Sequence, residues 1–229
     1  MSQSIRGEHA QLLKCHALFA KLGDAEIAEL LTRTRTQRYP AGAEIFAKGS
    51  PGESMMAVLR GSVKITSPSS DGREVVLNII DAGEFFGEIA LLDGHERSGY
   101  ATAATDCELL IFYRRDFLPF LQRRADVCIM LLEVLCQRLR NTSEQVEDVA
   151  FIALGSRVAK ALLRLIDHEH AATKPLVLHV TQRELGSMVG GARESVNRQL
   201  QAWQRDGLIE VGKGTITIRD PSRLHRLVA

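Results

Sequence analysis

The residues of this chain that are best suited to chemistry lie between positions 85 and 101, in the stretch FFGEIALLDGHERSGYA. Gly87 allows the backbone to approach a ligand closely, and the free N–H groups of the following turn can donate hydrogen bonds to an anionic oxygen. Arg97 adds a guanidinium whose planar fork matches a phosphate, and Ser98 adds a further donor. The predicted phosphate-binding residues are Gly87, Glu88, Ile89, Ala90, Arg97 and Ser98.

Glu88 is the acidic residue of this predicted phosphate cradle. Its charge repels a bare phosphate, but acidic residues accept a hydrogen bond from a ribose 2′-hydroxyl in other nucleotide sites. Its presence therefore favours a ligand that carries a sugar hydroxyl beside a weakly charged phosphodiester. The alternative is that Glu88 and Arg97 form an internal salt bridge in a domain that binds no ligand.

A second stretch, residues 181–203, reads TQRELGSMVGGARESVNRQLQAW and predicts a helix-turn-helix. Leu185 and Val189 lie on the buried face of a first helix, the glycines at 190–191 supply the turn, and a second helix begins near Arg193. The inward-facing residues of the second helix are Val196, Leu200 and Trp203. The spacing, the turn and the buried positions all agree with a motif that reads DNA.

Polar residues on the outer face of that second helix can contact base edges in the major groove. An Arg pairs with guanine O6 and N7, and a Glu accepts from the cytosine amino group, each contact giving about 1–3 kcal/mol of discrimination. The predicted DNA-binding residues are Arg193, Glu194, Asn197 and Arg198 at bases and Thr181, Gln182 and Ser195 at phosphates. Residues 207–219 predict a hairpin, the wing of a winged helix, with Lys213 at its turn close to a backbone phosphate. The alternative for Arg193 and Glu194 is the solvated start of a helix.

A long helix predicted over residues 126–153 must position both stretches. Its apolar residues are spaced alternately by four and three, the pattern of a coiled coil, so a second copy of the same helix is the simplest partner. At about 1.5 Å per residue, the helix would be roughly 42 Å long. The seam consists of Cys128, Leu132, Leu135, Leu139, Thr142, Val146, Val149 and Ala153. Thr142 is polar and is followed by the hydroxyl of Ser143, while residues 154–156 are the predicted hinge.

The remaining pattern predicts short helices up to Thr36 and then many short strands separated by Gly, Pro and Ser. The strand candidates are residues 55–59, 63–66, 75–80 and 109–113, with a turn at 69–72. Strands of this length and spacing favour a compact antiparallel barrel or sandwich, and we take the jelly-roll-like barrel. A helix over 157–168 and a strand over 176–180 follow. The predicted fold class is α+β, with an N-terminal β-barrel, a long dimerisation helix and a C-terminal winged helix-turn-helix.

The composition of the 229 residues is that of an ordinary globular protein, with 45% hydrophobic and 25% charged residues. Neither a bilayer-spanning apolar run nor a secretory signal is evident, so a cytoplasmic protein without membrane contact is predicted. Residues 1–154 carry 17 Lys and Arg against 21 Asp and Glu, whereas residues 155–229 carry 12 against 7. The basic excess of the second part is in the direction expected for a partner of a polyanion. The four cysteines have neither disulfide nor zinc spacing, and no metal is predicted.

The stretches FGEIAL at 86–91 and ERS at 96–98 resemble the phosphate-binding cassette of the cyclic-nucleotide-binding domain in the bacterial cAMP receptor protein (CRP/FNR) family. The pair Thr142-Ser143 lies in the context RNTSEQVEDVAF, which is typical of the cAMP-responsive branch. The resemblance extends from about Leu18 to Ile218. It implies that Gly87, Glu88, Arg97 and Ser98 hold a cyclic phosphate and ribose, and that Thr142 and Ser143 hold the base from the central helix.

The same resemblance implies that Arg193, Glu194 and Arg198 read a TGTGA-type half-site. Two neighbours depart from the family: Ala192 replaces a common hydroxyl, and Asn197 stands where a Gly is frequent. Either departure can change a phosphate contact or a base preference, so the half-site sequence stays open.

These expectations combine into a dimeric transcription regulator with a sensor domain over 1–125, a dimerisation helix over 126–153 and a DNA-binding domain over 154–229. The resemblance favours cAMP as its ligand, and cGMP stays open because the hydroxyls of Thr142 and Ser143 can serve an adenine amino group or a guanine carbonyl. Its partners are double-stranded DNA and a second copy of the chain. RNA polymerase is the further partner expected of such a regulator, although no motif identifies the contact surface.

Two alternatives remain. One is a transcription factor of the same fold that needs no ligand or answers to another effector; the other is a cyclic-nucleotide sensor that acts on a protein partner. No nucleophile, base and orienting group recur at a recognisable spacing, so the sequence does not predict an enzyme.

Overall fold

The computed structural model describes residues 10–14, 19–20, 22–68, 74–168 and 176–228, with the side chains of 167 and 168 excluded. The predicted turn at 69–72 and Leu18 lie outside the described residues. Packing divides the chain into two compact units. The first contains Met1–Ser67 and Leu77–Leu139, and the second contains Pro68–Val76 and Arg140–Ala229. This boundary falls inside the long helix, unlike the predicted domain limits at either end of that helix.

The first unit is built mainly from β-strands. The strands that lie in it wholly or in part are β1 (Thr34–Tyr39), β2 (Glu44–Phe46), β3 (Ser54–Arg60), β4 (Ser62–Pro68), β5 (Glu74–Asp81), β6 (Phe85–Phe86), β7 (Tyr100–Ala103) and β8 (Cys107–Tyr113). They form two four-stranded sheets, one in the order β1-β8-β3-β6 and the other in the order β2-β7-β4-β5. The four predicted strands are confirmed, with longer ends.

The predicted α+β fold is confirmed, but the word barrel overstates it, because the two sheets remain separate in the described residues and together form a sandwich. Side chains from both sheets meet in the layer between them, among them Met56, Phe86 and Leu109 from the first sheet and Val63 and Ala101 from the second. Interdigitation of two inner faces, rather than hydrogen bonding around a closed ring, holds such a sandwich together.

Helices cover the other face of the first sheet. Helices in the described residues include α1 (Asp24–Thr32), α2 (Glu88–Asp93), α3 (Arg114–Gln122), α4 (Ala125–Phe151), α5 (Leu154–His168), α6 (Gln182–Val189), α7 (Arg193–Arg205) and α8 (Pro221–Arg226). Strand β3 is buried on both faces, with Met55 packing toward the helices and Met56 toward the second sheet. Residues 34–36, predicted as helical, begin β1 instead, because Thr34 pairs with Phe112 on β8 in antiparallel register.

The predicted long helix is confirmed as α4, which has 27 residues and would be about 40 Å long. Its first turns belong to the first unit, where Val127, Met130 and Leu131 are buried against the core. The helix ends at Phe151, two residues earlier than predicted. The helix is interrupted at residues 152–153, and the predicted hinge residues 154–156 form the first turn of α5. The interruption of the helix therefore lies two residues before the predicted hinge, and the hinge itself stays a prediction.

The second unit contains the winged helix-turn-helix. Its strands are β9 (Leu176–Leu178), β10 (Ile209–Val211) and β11 (Ile216–Ile218), which pair in the order β10-β11-β9. The predicted inward-facing residues Val196, Leu200 and Trp203 are buried with Leu185 and Val189 in one apolar core. The 3.6-residue periodicity of the sequence therefore identified the packed faces of both helices.

Candidate functional site

The turn between β6 and α2 requires glycine at position 87. Gly87 has φ +79°, in the left-handed region that side chains disfavour. A Cβ atom there would lie 2.6 Å from Arg97 Nη1 and 3.3 Å from the carbonyl oxygen of Ser54. The turn thus keeps both its conformation and its close approach to Arg97 only with glycine.

Arg97 lies beneath this turn and is almost fully enclosed, with 4% of its surface exposed. Its Nη1 donates to the carbonyl oxygen of Gly87 at 2.9 Å, and its Nη2 donates to Ser54 Oγ at 3.0 Å. The guanidinium carbon is 4.2 Å from the ring centroid of Phe46, a cation–π distance. Burial lowers the pKa of Arg97, and the nearby charge of Glu88 raises it in part.

The backbone holds Arg97 in place through the segment that precedes β3. Its N–H donates to the carbonyl oxygen of Ser50, and its own carbonyl oxygen accepts from the N–H of Gly49, both at 2.9 Å. The Nε of Arg97 is buried and has no hydrogen-bond partner among the described residues. A buried charged donor without an acceptor is rare in native proteins, so this atom indicates where an anionic oxygen would bind.

Glu88 is also buried, with 2% of its surface exposed. Its Oε1 lies 2.6 Å from Nη1 of Arg138 on α4. Arg138 also donates to the carbonyl oxygen of Phe85 and stacks over the Phe85 ring at 5.0 Å. Glu88 therefore pairs with Arg138 rather than with Arg97, which removes the predicted alternative of an internal Glu88–Arg97 bridge.

The other predicted cradle residues differ in exposure. Ala90 is buried, and its methyl group lies against the α-carbon of Gly52. Ile89 is 49% exposed, and Ser98 is exposed. The structure thus brings Gly87, Glu88 and Arg97 together around one turn, while Ser98 lies at its open edge.

Thr142 and Ser143 are exposed on α4. They belong to the second unit, whereas the cradle belongs to the first. Their predicted contact with the same ligand therefore stays a prediction.

Sequence reasoning missed Arg138, Ser54 and Phe46. A signal for Arg138 exists, because it precedes Thr142 by four residues on one helix, and residues at that spacing share a face. Ser54 and Phe46 come from distant strands, and no local pattern links them to Arg97.

The first helix of the helix-turn-helix begins with a capping box. Thr181 Oγ1 accepts from the N–H of Glu184 at 3.2 Å, and the Glu184 carboxylate accepts from the N–H of Thr181 at 2.8 Å. The hydroxyl of Thr181 is therefore already engaged in capping the start of the helix, and its predicted phosphate contact is untested.

The turn between the two helices contains Gly190, whose φ of +60° is left-handed. A Cβ atom on Gly191 would lie 2.8 Å from Cδ1 of Leu154. The second helix then carries Arg193, Glu194 and Arg198 on its exposed face. Three charged side chains in solvent at the start of one helix suit direct contact with a major groove.

Ser195 and Asn197 are half-buried, and Oδ1 of Asn197 is enclosed without a partner among the described residues. Lys213 is exposed at the turn of the β10–β11 hairpin, where Gly212 N–H donates to the carbonyl oxygen of Thr215 at 2.8 Å. An open cleft of ≈ 190 Å³ separates the hairpin from the helices and is lined by residues that include Thr181, Gln182 and Arg193.

Among the described helices, none combines the length and the apolar character that a bilayer crossing requires. The described His, Cys, Asp and Glu side chains also form no group of three that could hold a metal ion.

Two family matches cover the two sites. Residues 36–124 match the cyclic nucleotide-binding domain, and residues 156–227 match the Crp-like helix-turn-helix domain. Together with the similarity described next, they show that the chain belongs to the CRP/FNR family of transcription regulators.

The chain is 33% identical over 215 residues to the cyclic AMP receptor protein of Thermus thermophilus, which covers 94% of this chain and 98% of that protein. It is 32% identical over 196 residues to the cAMP-activated global transcriptional regulator Vfr of Pseudomonas aeruginosa, covering 83% and 92%. Among solved structures, the c-di-GMP responsive global regulator CLP of Xanthomonas campestris has a TM-score of 0.80 at 28% identity, covering 86% of this chain and 100% of that one.

Proposed function

We propose that this protein is a homodimeric transcription regulator whose affinity for palindromic double-stranded DNA depends on a bound cyclic nucleotide, cAMP or cGMP. The observation that carries the proposal is the cradle formed by Gly87, Glu88 and Arg97, in which the buried Nε of Arg97 lacks an acceptor. The exocyclic oxygens of a cyclic phosphodiester supply that acceptor, and the Glu88 carboxylate can accept from the ribose hydroxyl.

The pairing of Glu88 with Arg138 supports this division of roles. Arg138 balances the charge of the buried carboxylate through the contact with Oε1, and the carboxylate can accept a hydrogen bond from a ribose hydroxyl. Relatives named as cAMP receptors or cAMP-activated regulators support the same ligand class.

Exposed apolar residues on α4 support the homodimer. In a single chain, the predicted seam residues Leu132, Leu139, Val146 and Val149 are between 57% and 68% exposed. Large apolar side chains repeated along one exposed helix face favour burial against another helix. The α4 helix of a second copy would supply the apolar surface that buries these side chains. Such a dimer would bring two reading helices to successive major grooves about 34 Å apart, the geometry of known family members.

Thr142 and Ser143 are proposed to contact the base. Their position on the dimerisation helix would let the ligand favour one dimer geometry over another, which is the requirement for coupling two sites. Dependence on the nucleotide would then pass from the sensor to the DNA-reading helices through α4.

The test is gel retardation of a palindromic TGTGA-type duplex with no nucleotide, cAMP, cGMP or c-di-GMP, paired with calorimetric titration of each nucleotide. We expect retardation to strengthen on the order of 5–150-fold with cAMP or cGMP, the usual range of allosteric coupling. Thr142→Ala should reduce this nucleotide dependence more than it reduces stability. Equal DNA affinity with and without ligand in both proteins would contradict the proposal.

Other outcomes identify the alternatives. Strengthening by c-di-GMP alone would favour the effector named for CLP. Retardation that is independent of every nucleotide would indicate a ligand-independent regulator. Nucleotide binding without retardation of any palindrome would indicate a sensor that acts on a protein partner.

A further inference from the structure

The last turns of α4 belong to the same compact unit as the DNA-reading helices. The boundary between the compact units lies at Leu139 and Arg140, so the rest of α4 belongs to the same unit as α5, α6 and α7. The segment that carries Thr142 and Ser143 is therefore part of the DNA-reading unit.

An ion pair joins this segment of α4 to α5 across the non-helical residues 152–153. Lys160 Nζ lies 2.8 Å from Oδ1 and 2.7 Å from Oδ2 of Asp148. The side chains of Lys160 and Asp148 are only 27% and 13% exposed. Partial burial shields the pair from salt and makes it costly to leave either charge alone.

A second ion pair lies one helical turn away. Arg164 Nη2 is 3.8 Å from Glu144 Oε2, and both side chains are about half exposed, at 42% and 56%. Both pairs are spaced by four residues on each helix, from 144 to 148 and from 160 to 164, so one face of α4 meets one face of α5. The exposed pair is the weaker one, because solvent screens it.

A different side of α4, next to the face that carries the ion pairs, reaches the turn of the helix-turn-helix. A Cβ atom on Gly190 would lie 3.6 Å from Cγ2 of Val149, which neighbours Asp148 in sequence. A displacement of the end of α4 would therefore act on α5 through the ion pairs and on the Gly190 turn through Val149.

We infer that Asp148 and Lys160, supported by Glu144 and Arg164, are positioning residues that make the end of α4 and the reading helices move as one body. We call this pair of ion pairs the clasp. The inference rests on the proposed function, because the clasp would transmit to α7 the rearrangement that a nucleotide causes near Thr142 and Ser143. Without the clasp, the break at 152–153 would absorb that movement.

Charge reversal tests the clasp without removing side-chain volume from a core. The variants are Asp148→Lys, Lys160→Asp and the double variant that carries both, with Glu147→Lys as the control for an equal charge change at an exposed neighbour. The measured quantity is the ratio of DNA affinity with cAMP or cGMP to that without nucleotide, at fixed salt.

We expect each single reversal to lower this ratio at least about threefold, as for residues that interact directly, and the double variant to restore it. Glu147→Lys should keep the ratio within about twofold of the unmodified protein, because Glu147 is exposed and adjacent residues of a helix do not share a face. Calorimetric affinity for the nucleotide should stay the same in all variants. Single reversals that leave the ratio unchanged, or a double variant that fails to restore it, would overturn the inference.

Hydrogen exchange decides the same question without a nucleotide. The amides of residues 152–160 should exchange faster in each single variant and return to the original rate in the double variant. Unchanged exchange would overturn the clasp. If DNA affinity of the unmodified protein does not respond to any nucleotide, the proposed function fails, and the exchange measurement still tests the clasp by itself.

Discussion

The charged residues of the cradle and those of the reading helix lie in opposite environments. Glu88 and Arg97 are 2% and 4% exposed, whereas Arg193, Glu194 and Arg198 are exposed. The buried charges need partners within the protein, and they have them in Arg138, Gly87 and Ser54. The exposed charges need none and stay accessible to a large partner.

This difference follows from the size of what each site would bind. A small ligand can be enclosed, so its donors and acceptors are fixed in advance, and the protein bears the cost of their desolvation during folding. A DNA duplex cannot be enclosed, so charges that contact it remain solvated until the complex forms. Substitutions in the cradle should therefore alter stability, and substitutions on the reading helix should alter DNA binding.

The largest expected effect compares two glutamates near helix starts. Glu88→Ala leaves Arg138 without its carboxylate and should lower the free energy of unfolding by about 3 kcal/mol, the low end for a broken buried pair because Arg138 is 22% exposed. Glu194→Ala on the exposed face of α7 should change it by less than about 0.5 kcal/mol. Urea denaturation of both variants measures the difference. Equal losses of stability would show that burial does not separate the two regions.

An intermediate effect on DNA binding is expected from two substitutions in the DNA-binding unit, Arg193→Ala and Lys213→Ala. Arg193→Ala should remove about 2 kcal/mol of discrimination at one base-pair position, since an arginine reads guanine through two hydrogen bonds. Lys213→Ala should weaken binding to all DNA sequences equally. It should also reduce the magnitude of the slope of log K against log salt concentration by about 1. Fluorescence anisotropy with single-substitution duplexes over a salt series distinguishes them. Uniform weakening by Arg193→Ala would place that residue at a phosphate.

The smallest expected difference is between two left-handed glycines. Gly190→Ala should cost about 1–2 kcal/mol, since φ is +60° and its nearest neighbour would be at an ordinary 3.6 Å. Gly87→Ala should cost at least about 1 kcal/mol more, because its Cβ would overlap Arg97 Nη1. Thermal unfolding measures both, and nucleotide titration of Gly87→Ala should also show weaker binding. Gly190→Ala serves as the matched control for the cost of placing a side chain at a left-handed φ.

Prediction from the sequence succeeded where the pattern is local. The buried face of the helix-turn-helix follows from a 3.6-residue period, and Leu185, Val196 and Trp203 are buried as expected. The β3 and β8 strands follow from short apolar runs between turn residues. The start of β1 could not be read in this way, because its pairing with β8, about 75 residues further along the chain, overrides a short helical pattern.

For the cradle, the sequence by itself determined which residue types would be present: a glycine that permits a left-handed turn, a carboxylate and a guanidinium at short spacing. Only the tertiary structure decided that Glu88 pairs with Arg138, 50 residues away, and that Arg97 binds Ser54 across 43 residues. It also decided that the sheets form an open sandwich and that Asp148 meets Lys160 across a helix break. Turn preferences and helix periods act between neighbours in sequence, whereas ion pairs and sheet edges depend on which elements the apolar core brings together.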